Sequence, residues 1–564
     1  MYKVRLEVPA RMGASTFITT KRTICELFFA WMVGYTLYQL YIAYFGPLFP
    51  NHPDGTLCRQ PLPAATPSNF SDLYSSPKFR LESAKRLSGA VQIPTMTFDD
   101  MGPVDEDERW LPFVDMHKYL RDTFPLTHSA TRLTVIGGFS LVYTWRGSNS
   151  SLKPLMLTGH LDVVPSVTSL DRWTYPPFDG VIDGEWIYGR GSGDCKNNVI
   201  GILTAVEHLI HSGWVPYRTI VLAFGQDEEV SGPLGATNIA KYLEEVYGKY
   251  GIAMIVDEGG MGLEKLYNQE FALPGIAEKG YMNAEVEVDM LGGHSSRPTV
   301  HTTIGILSKI VSAIEYSTIF QPTLRKESPI WGYISCLAEH GDKAYVPKWI
   351  ERAAFSKRPD YKDTARKFAK ISVENQYLIQ TSKAATIFNA GVKTNALAES
   401  AKVNFNSRVD IFSSSIAFFS FFVPILTYHA VDEVKKIFHF LVKPIAEKYC
   451  LLLNGESPSP QRYNVHCGGK PSIGNISLAY NSEHEPSLIA PFTLDAPAWV
   501  VFSKAVQASF GPEIIVSPSA MTGNTDTRFY WNLSQNIYRW SPVRSQDKIN
   551  IHTVDEMISM RSKF

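Results

Sequence analysis

The sequence has almost no net charge. Its 54 Lys and Arg residues against 55 Asp and Glu leave −1 at pH 7, so the basic field that draws a protein onto phosphate backbones is missing and nucleic acid is excluded as a partner. Cysteine is sparse too: Cys25, Cys58, Cys195, Cys336, Cys450 and Cys467 leave room for one or two disulfides but imply no disulfide framework. Internal repeats and low-complexity tracts are absent. What remains is a 564-residue chain with 45% hydrophobic residues, long enough for more than one domain with sizeable cores, so disorder is not the default.

Charge is missing locally as well. Positions 27 to 50 (LFFAWMVGYTLYQLYIAYFGPLFP) contain no charged residue and follow a segment carrying Lys3, Arg5, Arg11, Lys21 and Arg22. About 20 apolar residues cross a bilayer, and a basic flank stays cytosolic by the positive-inside tendency. No clear small-residue cleavage site follows, so the segment reads as an uncleaved signal anchor rather than a removed signal peptide. Residues 1–22 are then a cytosolic tail, 23–48 a transmembrane signal anchor and 49–78, rich in Pro and Ser, a luminal stalk. Sequons at Asn69, Asn149, Asn475 and Asn532 all fall on the luminal side. A buried helix of a soluble domain and a soluble secreted form are the competing readings.

Folded sequence begins near Phe79. From there to about 280, strand-length apolar runs (PLMLTGHLDVV, RTIVLAF, IAMIVDEGG) alternate with amphipathic stretches (NNVIGILTAVEHLIHSG, ATNIAKYLEEVYG). In the first stretch Val199, Ile202, Leu203, Val206, Leu209 and Ile210 recur every three or four residues and make one apolar face. The alternation predicts an α/β domain, a mixed sheet flanked by helices, formed by 79–280 and 490–564. Between them, 281–489 reads as an inserted α+β lid, with alternating strands such as YMNAEVEVDMLGGHSS and AKVNFNSRVDIF. The apolar block SIAFFSFFVPILTYHA at 415–430 fits badly, being too short to span a bilayer comfortably and interrupted by Pro424.

The stretch TIVLAFGQDEEVSG sets Asp227, Glu228 and Glu229 directly after a buried run, where charge is costly unless something pairs with it. Four more stretches place a His or an acid at the mouth of an apolar run: GHLDVVP with His160 and Asp162, GRGSGDCKNN with Asp194, IVDEGG with Asp257 and Glu258, and NIHTVDE with His552. Ligand sites of such sheets lie beyond the carboxyl ends of the strands. Singly, each has a bland reading: HLD as a hydrogen-bonded His at a strand end, DEE as a solvated helix start. Together, imidazoles and carboxylates suit zinc, and a carboxylate can bridge two ions about 3.5–4 Å apart. One Glu of the acid pair can then bind metal while its neighbour takes a proton from water.

The set HLDVVP, GRGSGDCKNN, GQDEEVSG, VDEGG, GGHSS, GVKTNALAES and NIHTVDE resembles the dinuclear zinc metallopeptidase family of carboxypeptidase S, aminoacylase and succinyl-diaminopimelate desuccinylase. The anchored N-terminus is most similar to the fungal vacuolar carboxypeptidase S branch. The resemblance implies two zinc ions per subunit. Asp194 would bridge them, His160 and the acid of VDEGG would complete one site, and Glu229 and His552 the other. Within VDEGG that branch implies Asp257, whereas some relatives favour Glu258. Glu228 would be the general base and Asp162 would orient His160. In dimeric relatives the His of GGHSS, here His294, reaches a neighbouring active site and stabilises the oxyanion, and Asn395 and Arg408 resemble residues that hold the substrate carboxylate. Cys195 departs from many relatives, in which the bridging Asp is followed by a second Asp through a cis peptide.

The expectation is a membrane-anchored zinc metallo-carboxypeptidase that releases C-terminal residues from short peptides (Gly-Xaa type) in a vacuolar lumen, with a homodimer formed through the lid. Two alternatives stand beside it: an N-acyl amino acid hydrolase or synthase using the same site, and a zinc-less binding or scaffold protein.

Overall fold

The runs RTIVLAF, PLMLTGH and IAMIVD form neighbouring parallel strands at the centre of a mixed sheet. In chain order its strands are β1 (Arg132–Ile136), β2 (Ser140–Trp145), β3 (Leu155–His160), β4 (Ile220–Gly225), β5 (Met254–Asp257), β6 (Gly275–Glu278), β7 (Ser519–Met521) and β8 (Ile537–Arg539). They lie in the order β1-β2-β4-β3-β5-β8-β6-β7, with β1 and β2 antiparallel on one edge. Alternate residues of a strand point to opposite faces. Leu141, Tyr143, Leu222 and Phe224 therefore meet helix α1 (Lys196–His211) through Val199, Ile200, Leu203 and Val206. Val142, Val221 and Ala223 meet helix α2 (Ala236–Tyr247) through Ala236, Ile239 and Leu243 on the other face. Both faces are covered, as a largely parallel sheet requires.

The structure, a computed structural model, describes residues 57–62, 74, 76–412, 430–455 and 472–561. The cytosolic tail, the anchor at 23–48, most of the stalk and, apart from Ala430, the apolar block at 415–430 lie outside the described residues. Among the described residues no helix is long and apolar enough to cross a membrane.

The lid is a second sheet, ordered Ala384–Ala390, Ser400–Val409, Gly280–Met290, Gly474–His484, Leu451–Gly455. Its central strand buries Met282, Ala284, Val286 and Val288 while the residues between them face outward. Helices Thr303–Glu315 and Ala430–Tyr449 cover the buried face, and Phe405 meets Phe438 edge to face with ring centroids 5.6 Å apart. Phe405→Ala should destabilise this layer by about 3–5 kcal/mol, read as faster hydrogen exchange in the amides of Gly280–Met290. A loss below about 1 kcal/mol would mean that the two layers do not share this core.

Two segments differ from the sequence reading. Helices between 329 and 378, read as lid, share a core with Phe271, Leu273 and Ala520 of the catalytic part. Helical periodicity shows that an apolar face exists but not which body covers it. Residues 57–62, read as free stalk, are fastened to the catalytic body: Cys58 is disulfide-bonded to Cys336, and Gln60 exchanges two hydrogen bonds with Val516. The cysteine count leaves room for the first tie without naming its partners, and the Pro- and Ser-rich composition gives no sign of the second.

Candidate metal centre

The parallel order β4-β3-β5 sets three strand ends side by side, so His160, the acids after Gly225 and the acids of VDEGG converge. His160 Nε2 lies 3.4 Å from Asp194 Oδ1 and 3.1 Å from Glu258 Oε1. His552 Nε2 lies 3.3 Å from Asp194 Oδ2 and 3.1 Å from Glu229 Oε1. Each oxygen of Asp194 thus faces a different imidazole. Atoms bound at about 2.0–2.2 Å around a tetrahedral zinc sit roughly 3.3–3.6 Å from one another, close to these separations.

Asp162 ties the set together. Its backbone carbonyl meets His160 Nδ1 at 3.0 Å, with its Oδ1 3.2 Å from the same nitrogen; Oδ1 accepts the Glu228 N–H at 3.1 Å, while Oδ2 accepts the Glu229 N–H at 3.0 Å and the Thr97 hydroxyl at 2.7 Å. Occupying Nδ1 in this way leaves Nε2 as the ligand nitrogen. The third acid of the run does something else: Asp227 accepts the N–H groups of Leu234 and Gly235 at 2.7 and 2.8 Å, folding the chain back before α2. The peptide bond between Asp194 and Cys195 is cis.

The charge balance fits a cation. Burial pushes Glu229 up to about 7 against the hydrogen bond from His552. Burial also raises Glu228 well above the usual carboxylate range, with His160 opposing and Glu258 adding. For Asp194 burial acts upward, but hydrogen bonds from His160 and His552 prevail and hold it well below that range. Those contacts lift His552 to about 10. Without metal the imidazoles serve as the positive partners of crowded acids. Dications would take over that role and leave neutral imidazoles free to bind them, so the donor set fits zinc.

Of the adjacent acids in VDEGG, Glu258 is the one beside His160. Asp257 ends β5, its Oδ1 accepts the Glu258 N–H at 2.8 Å, its Oδ2 is buried without a partner, and burial pushes the carboxyl to about 8. The following Gly259 has φ +97°, a backbone conformation that residues with a side chain rarely adopt, so glycine suits the turn the chain makes at this point.

The model of peptidase family M20/M25/M40 matches residues 156–562. The chain belongs to this family. Carboxypeptidase S of Saccharomyces cerevisiae is 36% identical over 516 residues, covering 89% of this chain and 85% of that protein. The N-fatty-acyl-amino acid synthase/hydrolase of Mus musculus is 29% identical over 503 residues, covering 88% and 87%. The crystal structure of human carnosine dipeptidase 1 shares the fold with a TM-score of 0.59 at 13% identity, covering 89% of this chain and 96% of that one.

In this M20/M25/M40 peptidase the residues read as substrate-binding fall in two places. Arg408, on lid strand Ser400–Val409, donates from Nη1 to Asn524 Oδ1 at 2.6 Å and lies over the Tyr281 ring. Burial lowers its pKa, while Tyr281 and Glu228 act in the opposite direction. The Asn524 amide in turn donates to the Lys279 carbonyl at 2.6 Å, joining lid strand and catalytic loop. His294 and Asn395 instead sit exposed on a small ribbon of the lid. There Gly293–His294 pairs with Ala396–Leu397, and His294 Nδ1 meets the Ser296 hydroxyl at 2.8 Å. The structure brings these two together but not to the metal ligands. Sequence reading missed Asn524, Arg190 and Glu556. The spacing of Glu556, four residues beyond His552, is the one signal that could have drawn notice to it.

Proposed function

We propose that this M20/M25/M40 peptidase is a zinc carboxypeptidase that binds two zinc ions and releases C-terminal amino acids from short peptides. The observation that carries the reading is the placement of the two Asp194 oxygens, one toward His160 and Glu258, the other toward His552 and Glu229. Glu258 takes the role that the sequence reading gave to Asp257. Zinc held by these residues supplies Lewis-acid polarisation and a water pKa lowered to about 7. Glu228, its backbone fixed by Asp162, takes a proton from the attacking water and returns it to the leaving amine. Arg408 grips the substrate's terminal carboxylate with its planar fork.

Arg408→Lys keeps the charge and loses the fork. Charged hydrogen bonds are worth about 1.5–3 kcal/mol, so KM should rise about 10- to 100-fold with kcat little changed. An unchanged KM would make Arg408 a structural tie to Asn524.

Similarity to the mouse synthase/hydrolase over 88% of the chain favours a second reading on the same site, an N-acyl amino acid hydrolase. Full-length protein assayed on a blocked Gly-Leu dipeptide and on an N-fatty-acyl amino acid, with zinc and with chelator, separates the two. Chelator-sensitive dipeptide cleavage supports the carboxypeptidase, preference for the acyl substrate supports the rival, and turnover of neither overturns both. A zinc-less scaffold is disfavoured by the convergence of all five ligands and the base. The Cys58–Cys336 disulfide suits an oxidising lumen. With the uncharged run and the sequons, it supports a membrane-anchored protein whose catalytic body faces a vacuolar lumen. The exposed ribbon of His294 and the open edge strand Ala384–Ala390, with Ile387 and Phe388 outward, support a lid-mediated homodimer.

A further inference from the structure

The loop bearing Asp194 and the turn bearing His552 come from the two separate segments of the catalytic domain, yet their side chains approach to 3.3 Å at one of the two metal positions proposed above. Beneath that contact lies a buried pair, Arg190 and Glu556, with side chains 4% and 0% exposed. Glu556 Oε1 accepts the N–H groups of Gly191, Gly193 and Asp194 at 3.1, 2.8 and 3.1 Å. Its Oε2 accepts Arg190 Nη1 at 2.5 Å. Arg190 donates from Nη2 to the Thr553 carbonyl at 3.3 Å, next to His552, and from Nε to the Ser166 hydroxyl at 2.8 Å. One carboxylate therefore gathers the backbone that leads into Asp194, and one guanidinium holds the turn that presents His552.

In that turn Asn550, His552 and Asp555 all have left-handed backbones, with φ of 60°, 59° and 57°, a region that few non-glycine residues occupy and that Asn, Asp and His enter most readily.

We propose that Arg190 and Glu556 are positioning residues that set the separation of Asp194 and His552, and through it the zinc affinity of the position formed by Asp194, Glu229 and His552. The proposal rests on the two-zinc reading above. The alternative is a pair that stabilises the fold and leaves metal binding alone. Glu556→Gln separates them, because glutamine matches the shape but cannot accept from all four donors and leaves the buried guanidinium without a counter-charge. Outer partners of metal ligands typically change affinity 10- to 100-fold.

The experiment equilibrates full-length protein with chelator-buffered zinc, counts zinc per chain, and follows thermal unfolding of the zinc-free forms in parallel. The unaltered protein should hold two ions. Glu556→Gln should keep the first and bind the second about 10- to 100-fold more weakly. A zinc-free form that melts earlier with both affinities unchanged would overturn the proposal, since that is the signature of a purely structural pair. Should Glu556→Gln fail to fold, Arg190→Lys tests the same pair, with weakened binding of the second ion supporting the proposal and unchanged affinity overturning it. Failure of the unaltered protein to hold two ions would instead overturn the reading on which the proposal rests.

Discussion

Glu228→Gln should retain zinc and bind short peptides while hydrolysing them roughly 10²–10⁴-fold more slowly, the usual contribution of a positioned general base. The substitution conserves volume and leaves the backbone N–H on Asp162 Oδ1, so neither fold nor metal ligands should move. What is lost is the carboxylate that carries a proton from water to the leaving amine. In the metal-free protein burial raises this carboxyl well above its usual range, with His160 opposing and Glu258 adding; dications beside it would lower it again and leave the carboxylate free to accept a proton. Measured kcat/KM and zinc content together check the role. Activity within tenfold of the unaltered protein would transfer proton transfer to another acid of the cluster.

Asp194→Asn should have a larger effect still, because in the proposed two-zinc centre it would act on both metal positions at once. Each Asp194 oxygen faces a different imidazole, at 3.4 and 3.3 Å, and asparagine supplies one oxygen and no charge. Zinc per chain should fall from two to at most one. Lewis-acid stabilisation is worth several kcal/mol, so turnover should fall about 10³-fold or more. Retention of both ions with more than a tenth of the activity would show that Asp194 does not bridge. A matching substitution of a ligand on one side only, such as Glu229→Gln, should leave the other position filled.

Part of this cluster was legible because three of its motifs sit where an apolar run stops. His160 closes β3, the acid run follows β4, and VDEGG closes β5, so reading the runs as parallel strands gathers those three, whereas Asp194 and His552 lie in turns and were grouped with them only through the family resemblance. Asp162 was legible for the same reason, being two residues from the imidazole it holds. The choice between Asp257 and Glu258 was not, because two acids at a strand end leave open which one faces the site. That depends on how the chain turns after β5, where Gly259 has φ +97°. Arg190 and Glu556 lie 366 positions apart, and nothing local in either segment announces the other. The apolar faces of the helices between 329 and 378 suit either body, and the core they share with Phe271, Leu273 and Ala520 is a tertiary fact that periodicity does not carry. Arg408 stood out as a cation on a lid strand, and its partner Asn524 lies in the stretch TGNTDTRFY, which resembles a family loop near the substrate, but the sequence does not show that the two meet.

The most direct measurement is anomalous X-ray diffraction at the zinc edge from crystals of the zinc-loaded protein. The expected result is two peaks, one on either side of Asp194, the first within bonding distance of His160 and Glu258 and the second of Glu229 and His552. A single peak, or a first ion bound through Asp257 with Glu258 turned away, would contradict the arrangement described here.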